Sequence, residues 1–301
     1  MAYDQQQVLN LLKDSLRAGA TDILVKVPAR PMFRADDRLI PTPYPEVRPD
    51  DTFQFARSLL QIARKELPLA QVQETSFAFG VREVGRFRAH LFRQRGSIGL
   101  VIHRMALDPP SLQDLGAPPL SAAIAWGGPG LTLVTAQKRH MALLAALTDC
   151  FNQKHAGHLI SLEDPIEYLH RDRTAIISQR EMGEDATDYV TALQGLRGES
   201  PDGVIIHDLP DHHVAEAVLR AAEAGMPVVA GIQGCRTIEA TRWFTRMFPA
   251  HREIEISERL CIALRGVVAE EKGKVYTLPV SPAVRETILK RRPLPFRKKA
   301  A

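Results

Sequence analysis

Cysteine is scarce in this 301-residue chain: Cys150, Cys235 and Cys261 lie far apart and form no C-x-x-C pair. That spacing excludes a disulfide frame and a thiolate zinc cluster and leaves reduced, packed thiols as the expectation. Long apolar runs are also missing. Runs such as 203–206 and 226–232 are strand-length, well short of the roughly 20 residues of a membrane span. The first residues, Met1 to Gln5, lack a basic segment followed by an apolar one, so no secretory leader is expected and a cytoplasmic location is. A basic face for nucleic acid is absent too. The formal charge is +4, but six cations (Lys290, Arg291, Arg292, Arg297, Lys298 and Lys299) fall in the last twelve residues, and without them the body carries −2. The basic tail reads either as a solvated end or as a contact with acidic lipid or an acidic partner, and nucleic acid is not an expected partner.

A further absence is local. Between an apolar strand at 131–134 and an apolar helix beginning at 141 lie Ala136, Gln137, Lys138, Arg139, His140 and Met141. A strand, loop and helix in this arrangement normally carry G-x-x-x-x-G-K-S/T. The glycines there take positive φ, so that successive N–H groups face one phosphate, and they leave no Cβ in its path. Here there is no glycine, and no Ser or Thr to hold Mg²⁺. Lys138 and Arg139 attract an anion weakly and cannot rebuild the cradle.

The apolar pattern predicts helices over 5–18 and 51–65, with Phe53, Phe55, Ala56, Leu59, Leu60 and Ile62 on the apolar side of the second. Short strands are expected at 22–27, 32–35, 76–79, 85–92 and 98–103, which together make an α+β domain over 1–107. A turn-rich linker, 108–122, contains two Pro-Pro pairs. Over 123–288, buried strands near 131–134, 158–162, 203–207 and 227–232 alternate with helices near 141–153, 185–197, 211–224 and 236–247. Such alternation argues an α/β domain with a mostly parallel sheet covered on both faces. The tail, 289–301, follows.

Residues 159–170, LISLEDPIEYLH, resemble the acidic box of PilT-type pilus retraction ATPases, within the secretion ATPase superfamily. Further segments resemble the family in the same order: AGATDI at 18–23, PMFRAD at 31–36, GRFRAHLF at 85–92, ISQRE at 177–181, PDGVII at 201–206, AAEAG at 221–225, ALRGVV at 263–268 and SPAVR at 281–285. The resemblance covers about residues 10 to 288. It implies a PAS-like N-terminal domain, a RecA-like P-loop NTPase domain, and the hexameric ring of relatives.

Set against that family, three nucleotide elements are altered. The loop at 136–141 has lost its glycines and is shorter by two residues. The second acidic motif, HDLPDHH at 207–213, offers Asp208 where the family has glutamate. Gln233 stands where the family's histidine box has its γ-phosphate sensor, and it cannot carry a proton through neutral pH. Glu163 occupies the position of the water-activating glutamate, and as a strand-end acid it also has a purely structural reading. Asp211 is expected to cap a helix beside solvated His207, His212 and His213, with no metal site. Cys235 is expected to be buried and unreactive. Arg86, Arg88, Arg95 and Arg104 stand in the region whose arginines in the family reach a neighbouring subunit's phosphates; surface ion pairing is their other reading.

The expectation is therefore a pseudo-ATPase that regulates or adapts a type IV pilus, twitching-motility motor. Lys138, Arg139 and Gln233 would be its degenerate nucleotide site, and Glu163 and Asp208 vestigial catalytic residues. No cofactor is expected, ATP and Mg²⁺ belonging only to the alternative of a divergent, active hexameric retraction ATPase. The expected partners are a pilus-motor ATPase or the inner-membrane platform protein of the pilus, which would bring the chain to the inner-membrane face of the pilus base.

Overall fold

The computed structural model describes residues 3–105, 108–234 and 239–290. The chain divides into two compact units, Met1–Leu107 and Asp108–Ala301. Among the described residues no helix is long and apolar enough to cross a membrane.

The first unit runs α1 (Gln5–Arg17), β1 (Asp22–Val25), β2 (Met32–Ala35), β3 (Arg38–Pro41), α2 (Pro49–Ala63), β4 (Glu74–Val81), β5 (Gly85–Gln94) and β6 (Ser97–Met105). Asp4 and Gln7 form a capping box that starts α1. The strands make one sheet, ordered β3-β2-β1-β6-β5-β4, in which every pairing is antiparallel. Alternation along β5 sends Phe87, Ala89 and Leu91 to the face that packs against Leu11 and Leu12 of α1 and Phe55 and Leu59 of α2. One expectation changes here, and one strand is added to those expected. Phe53 is 43% exposed rather than buried, because it lies off the stripe that Phe55, Ala56 and Leu59 turn inward. The hairpin strand β3 went unread because its turn, Asp36-Asp37 with φ of 47° and 59°, has two carboxylates in place of the usual Asn-Gly signal.

The second unit runs α3 (Leu120–Trp126), β7 (Gly130–Ala136), α4 (His140–Lys154), β8 (His158–Glu163), β9 (Ile176–Glu181), α5 (Tyr189–Glu199), β10 (Gly203–Ile206), α6 (His212–Glu223), β11 (Pro227–Gln233), α7 (Ala240–Arg246), α8 (Glu253–Ala263), β12 (Leu264–Glu271), β13 (Lys274–Pro279) and α9 (Pro282–Leu289). Its sheet is ordered β13-β12-β7-β11-β10-β8-β9. All neighbours are parallel except the β12–β13 hairpin, so the unit is α/β with a mostly parallel sheet.

Each strand feeds two cores. Leu131 and Leu133 of β7 join Val204, Ile206 and the inner sides of α5, α6 and α8. Val134, on the opposite face, joins Ile205, Val229, Leu143, Leu144 and Trp126 under α3 and α4. Burial on both sides explains why the central strands read as unbroken apolar runs. Helix α3 begins inside the stretch read as linker, and the start expected for a helix at 236 lies outside the described residues.

Candidate functional site

Open parallel sheets present their ligand-facing loops at the carboxyl ends of the strands, and most of the sequence-selected residues gather there. In the pairing of β7 with its two neighbours, Ala136 lies opposite Gln233 of β11 and opposite Glu270 of β12. One strand beyond β11, the His207 N–H donates to the Leu162 carbonyl at 3.0 Å, which sets His207 beside Glu163 at the end of β8. Along the edge the order is thus Glu270, Ala136, Gln233, His207, Glu163.

The loop after β7 is only Gln137, Lys138 and Arg139, and its N–H groups turn toward β12. The Gln137 N–H donates to the Glu270 carbonyl (3.4 Å) and the Lys138 N–H to Glu270 Oε2 (3.3 Å). The Arg139 guanidinium donates to the Gly273 carbonyl at 2.8 Å. Helix α4 then opens without a side-chain cap. Its first residue, His140, is buried, with Nε2 2.8 Å from the His207 carbonyl, and burial lowers its pKa. That ring fits only because residue 231 is glycine: a Cβ there would lie 2.6 Å from His140 Nε2 and 2.5 Å from the His207 oxygen.

Glu163 is buried at 1% exposure. Its Oε1 accepts from the Ser161 hydroxyl (2.7 Å) and from the Gln179 amide (2.8 Å), while His207 Nδ1 stands 3.4 Å from Oε2. Gln179 also donates to the Tyr168 carbonyl at 2.7 Å and accepts from the His170 N–H at 2.9 Å. The His207 pKa is pushed down to about 3, by burial first and by neighbouring His140 second. The His170 pKa is lowered chiefly by burial, against the opposing fields of Glu163 and Asp149. This closed network of Ser161, Glu163, Gln179, His207 and His140 was only partly visible in the sequence.

His207 corrects an expectation. Read as solvated, it is 3% exposed, because it prolongs β10 by one hydrogen bond and packs between Ser161, Glu163 and His140. Asp211 does cap α6: its Oδ1 accepts from the N–H groups of His213 (2.8 Å) and Val214 (3.0 Å). Asp211→Ala should therefore cost about 1 kcal/mol in urea unfolding, whereas a loss below a few tenths would mean the cap is idle. The His212 and His213 rings lie against each other, centroids 4.0 Å apart and planes tilted by 35°. Among the described residues no group of His, Cys, Asp and Glu is arranged to hold a metal ion. Asp208 is half-buried and close enough for its charge to act on His140, and Gln233 is exposed at the end of β11.

The four arginines do not form one cluster. Arg86 and Arg88 share the face of β5 that points away from the core, and Arg88 pairs across the sheet with His103. Arg95 is exposed in the β5–β6 turn, roughly 30 Å along the strand from Arg86 at 3.4 Å per residue. Arg104 is exposed opposite Phe87, on the other side of the sheet from Arg88. Cys150 and Cys261 are buried free thiols with raised pKa, burial being the main cause. Cys235 lies outside the described residues, as does the tail from Arg291 onward; Lys290, just before it, is ion-paired with Glu286.

No protein-family profile matches the chain. It is similar to the type IV pilus ATPase PilU of Pseudomonas aeruginosa, 27% identical over 263 residues that span 87% of this chain and 69% of PilU. It is also similar to the retraction ATPase PilT of the same organism, 24% identical over 265 residues, 87% of this chain and 77% of PilT. Among solved structures, the pilus retraction motor PilT with bound ADP superposes with a TM-score of 0.81 at 28% identity, covering 94% of this chain and 86% of that one.

Proposed function

We propose that this chain, a member of the PilT-type family of pilus and secretion traffic ATPases, works at a type IV pilus motor as a subunit that does not itself turn over ATP. The observation that carries the reading is the loop after β7. Its N–H groups engage Glu270 instead of facing an open cradle, and it has neither a glycine nor a hydroxyl for Mg²⁺. Nucleotide phosphate and Mg²⁺ do not suit such a loop. Phosphoryl transfer depends on positioned charge around the γ-phosphate, so a misdirected loop removes more of the rate than any single acid could restore. Glu163 supports the same view: a water-activating carboxylate must reach water, and this one is buried with two donors on a single oxygen.

The preserved scaffold then has an assembly role, since packing between subunits depends on domain faces and not on the loop. The proposed partner is an intact retraction ATPase, met as a mixed ring or a cap at the inner-membrane face of the pilus base. Arg86 and Arg88, side by side on the outward sheet face, are the residues best placed to reach that partner's phosphates. The cationic tail adds an electrostatic contact with acidic lipid or with the platform protein, one that weakens with salt.

The test is turnover. The purified chain should release phosphate from Mg·ATP at background rate, and it should co-purify with an intact retraction ATPase of the same cell. Arg86→Gln with Arg88→Gln should change that partner's ATPase rate several-fold, with circular dichroism and the urea midpoint of the variant checking separately that it is folded. Robust hydrolysis by the chain alone would establish a divergent active motor instead.

A further inference from the structure

We propose that the carboxylate of Glu270 is the resident anion of the 137–139 loop, held by main-chain N–H groups in the role a phosphoryl oxygen plays in an intact phosphate loop. The C-terminal unit thereby keeps this loop folded with no nucleotide present. The inference rests on the non-hydrolysing reading above.

Glu270 is the only carboxylate that the register of β12 places directly beside the end of β7, opposite Ala136. It is 3% exposed, and an isolated carboxylate is tolerated at such depth only when donors and positive charge surround it. Both oxygens are provided for. Oε1 accepts the Gly273 N–H at 2.7 Å, and Oε2 accepts the Lys138 N–H at 3.3 Å. Arg139 places its charge nearby and anchors itself on the Gly273 carbonyl. Burial works to raise the Glu270 pKa, yet the Gly273 and Lys138 N–H groups and the Arg139 charge prevail and hold it below the usual range. The beginning of α4, one residue further on, adds the positive end of a helix dipole that no side chain caps. Donors, dipole and cation are the ingredients of a phosphate site. Here they meet a carboxylate from the adjacent strand.

Hydrogen exchange on the full-length protein decides the matter, read on peptides covering 136–143 in the wild type, Glu270→Ala and Glu270→Gln, with and without millimolar pyrophosphate. In Glu270→Ala the loop and first turn of α4 should exchange about tenfold faster. Pyrophosphate should restore protection in that variant and leave the wild type unchanged. Glu270→Gln, which keeps an acceptor and loses the charge, should fall between the two, and it carries the test if the alanine variant does not fold. Unchanged exchange in the variants, or equal protection of the wild type by pyrophosphate, overturns the proposal. Faster exchange that pyrophosphate fails to reverse also overturns it, since the carboxylate would then only brace the β12–β13 hairpin. A separate arm with Mg·ATP distinguishes the two levels: phosphate release by the wild type above background defeats the non-hydrolysing reading, whereas background release together with unaffected variants defeats the Glu270 assignment alone.

Discussion

Replacing Gly231 with alanine is expected to destabilise the C-terminal unit by about 3 kcal/mol, the combined scale of overpacking and of a disturbed buried hydrogen bond. The added Cβ would sit 2.5 Å from the His207 carbonyl oxygen, 2.6 Å from His140 Nε2 and 2.8 Å from His140 Cε1. None of these atoms can move cheaply. The carbonyl belongs to the backbone just past β10, and the imidazole is enclosed at 6% exposure. Relief would require the ring to leave the carbonyl that it meets at 2.8 Å, stranding a buried polar group. The chain's two tryptophans, Trp126 and Trp243, both lie in this unit, so urea unfolding followed by tryptophan fluorescence reports on it selectively. A loss under about 1 kcal/mol, the ordinary size of a point-mutation effect, would show that the histidine cluster is not rigidly packed. A useful control is Gly234→Ala. That glycine has φ of 72° but nothing within 4 Å of its Cβ position, so its cost is confined to backbone strain.

The same glycine shows how far the sequence alone could be read. A small-residue strand end at 230–231 was legible, but the reason for glycine there was not, since it depends on His140 arriving from α4 and a carbonyl from β10. Central strands were legible for a simple reason: a strand buried on both faces must be mostly apolar, and 131–134, 203–207 and 227–232 are, with Thr132 and His207 the polar exceptions. Strand β9, whose residues run from exposed to half-buried at the sheet edge, has no such run. In α8, Ile254 and Ile262 are 63% and 76% exposed while Ile256 is buried, so the apolar residues do not mark the inward face. Glu270 illustrates the limit at the site. In the stretch Ala269-Glu270-Glu271-Lys272-Gly273-Lys274 it resembles any charged hairpin residue, and only the long-range pairing of β12 with β7 buries it beside the loop. The loss of the glycines was readable locally; what replaced their ligand was not.

Lowering the pH from about 7 to 5 should cost the C-terminal unit several kcal/mol, on the order of 1.4 kcal/mol per pH unit for each imidazole that is protonated only after unfolding. His140 and His207 are buried and His170 is half-buried, and desolvation lowers the pKa of each, that of His207 to about 3. The unfolded chain takes up protons at these residues as pH falls through about 6.5, while the folded chain does not. The unfolded state therefore binds more protons, and stability declines from about pH 6.5 downward until the folded pKa values are reached. Opposing charges moderate the slope: Glu163 Oε2 stands 3.4 Å from His207, Asp208 acts on His140, and Glu163 and Asp149 act on His170. His207 has the deepest burial and the strongest shift, so it should dominate. Urea midpoints across this range, read by tryptophan fluorescence, should fall steadily in the wild type. In His207→Asn the fall should be shallower by close to one proton, even though that variant starts less stable. If the wild-type midpoint stays flat to pH 5, His207 must accept a proton in the folded state, forming an ion pair with Glu163 inside the closed network. An identical slope in His207→Asn would assign the dependence to His140 and His170 instead.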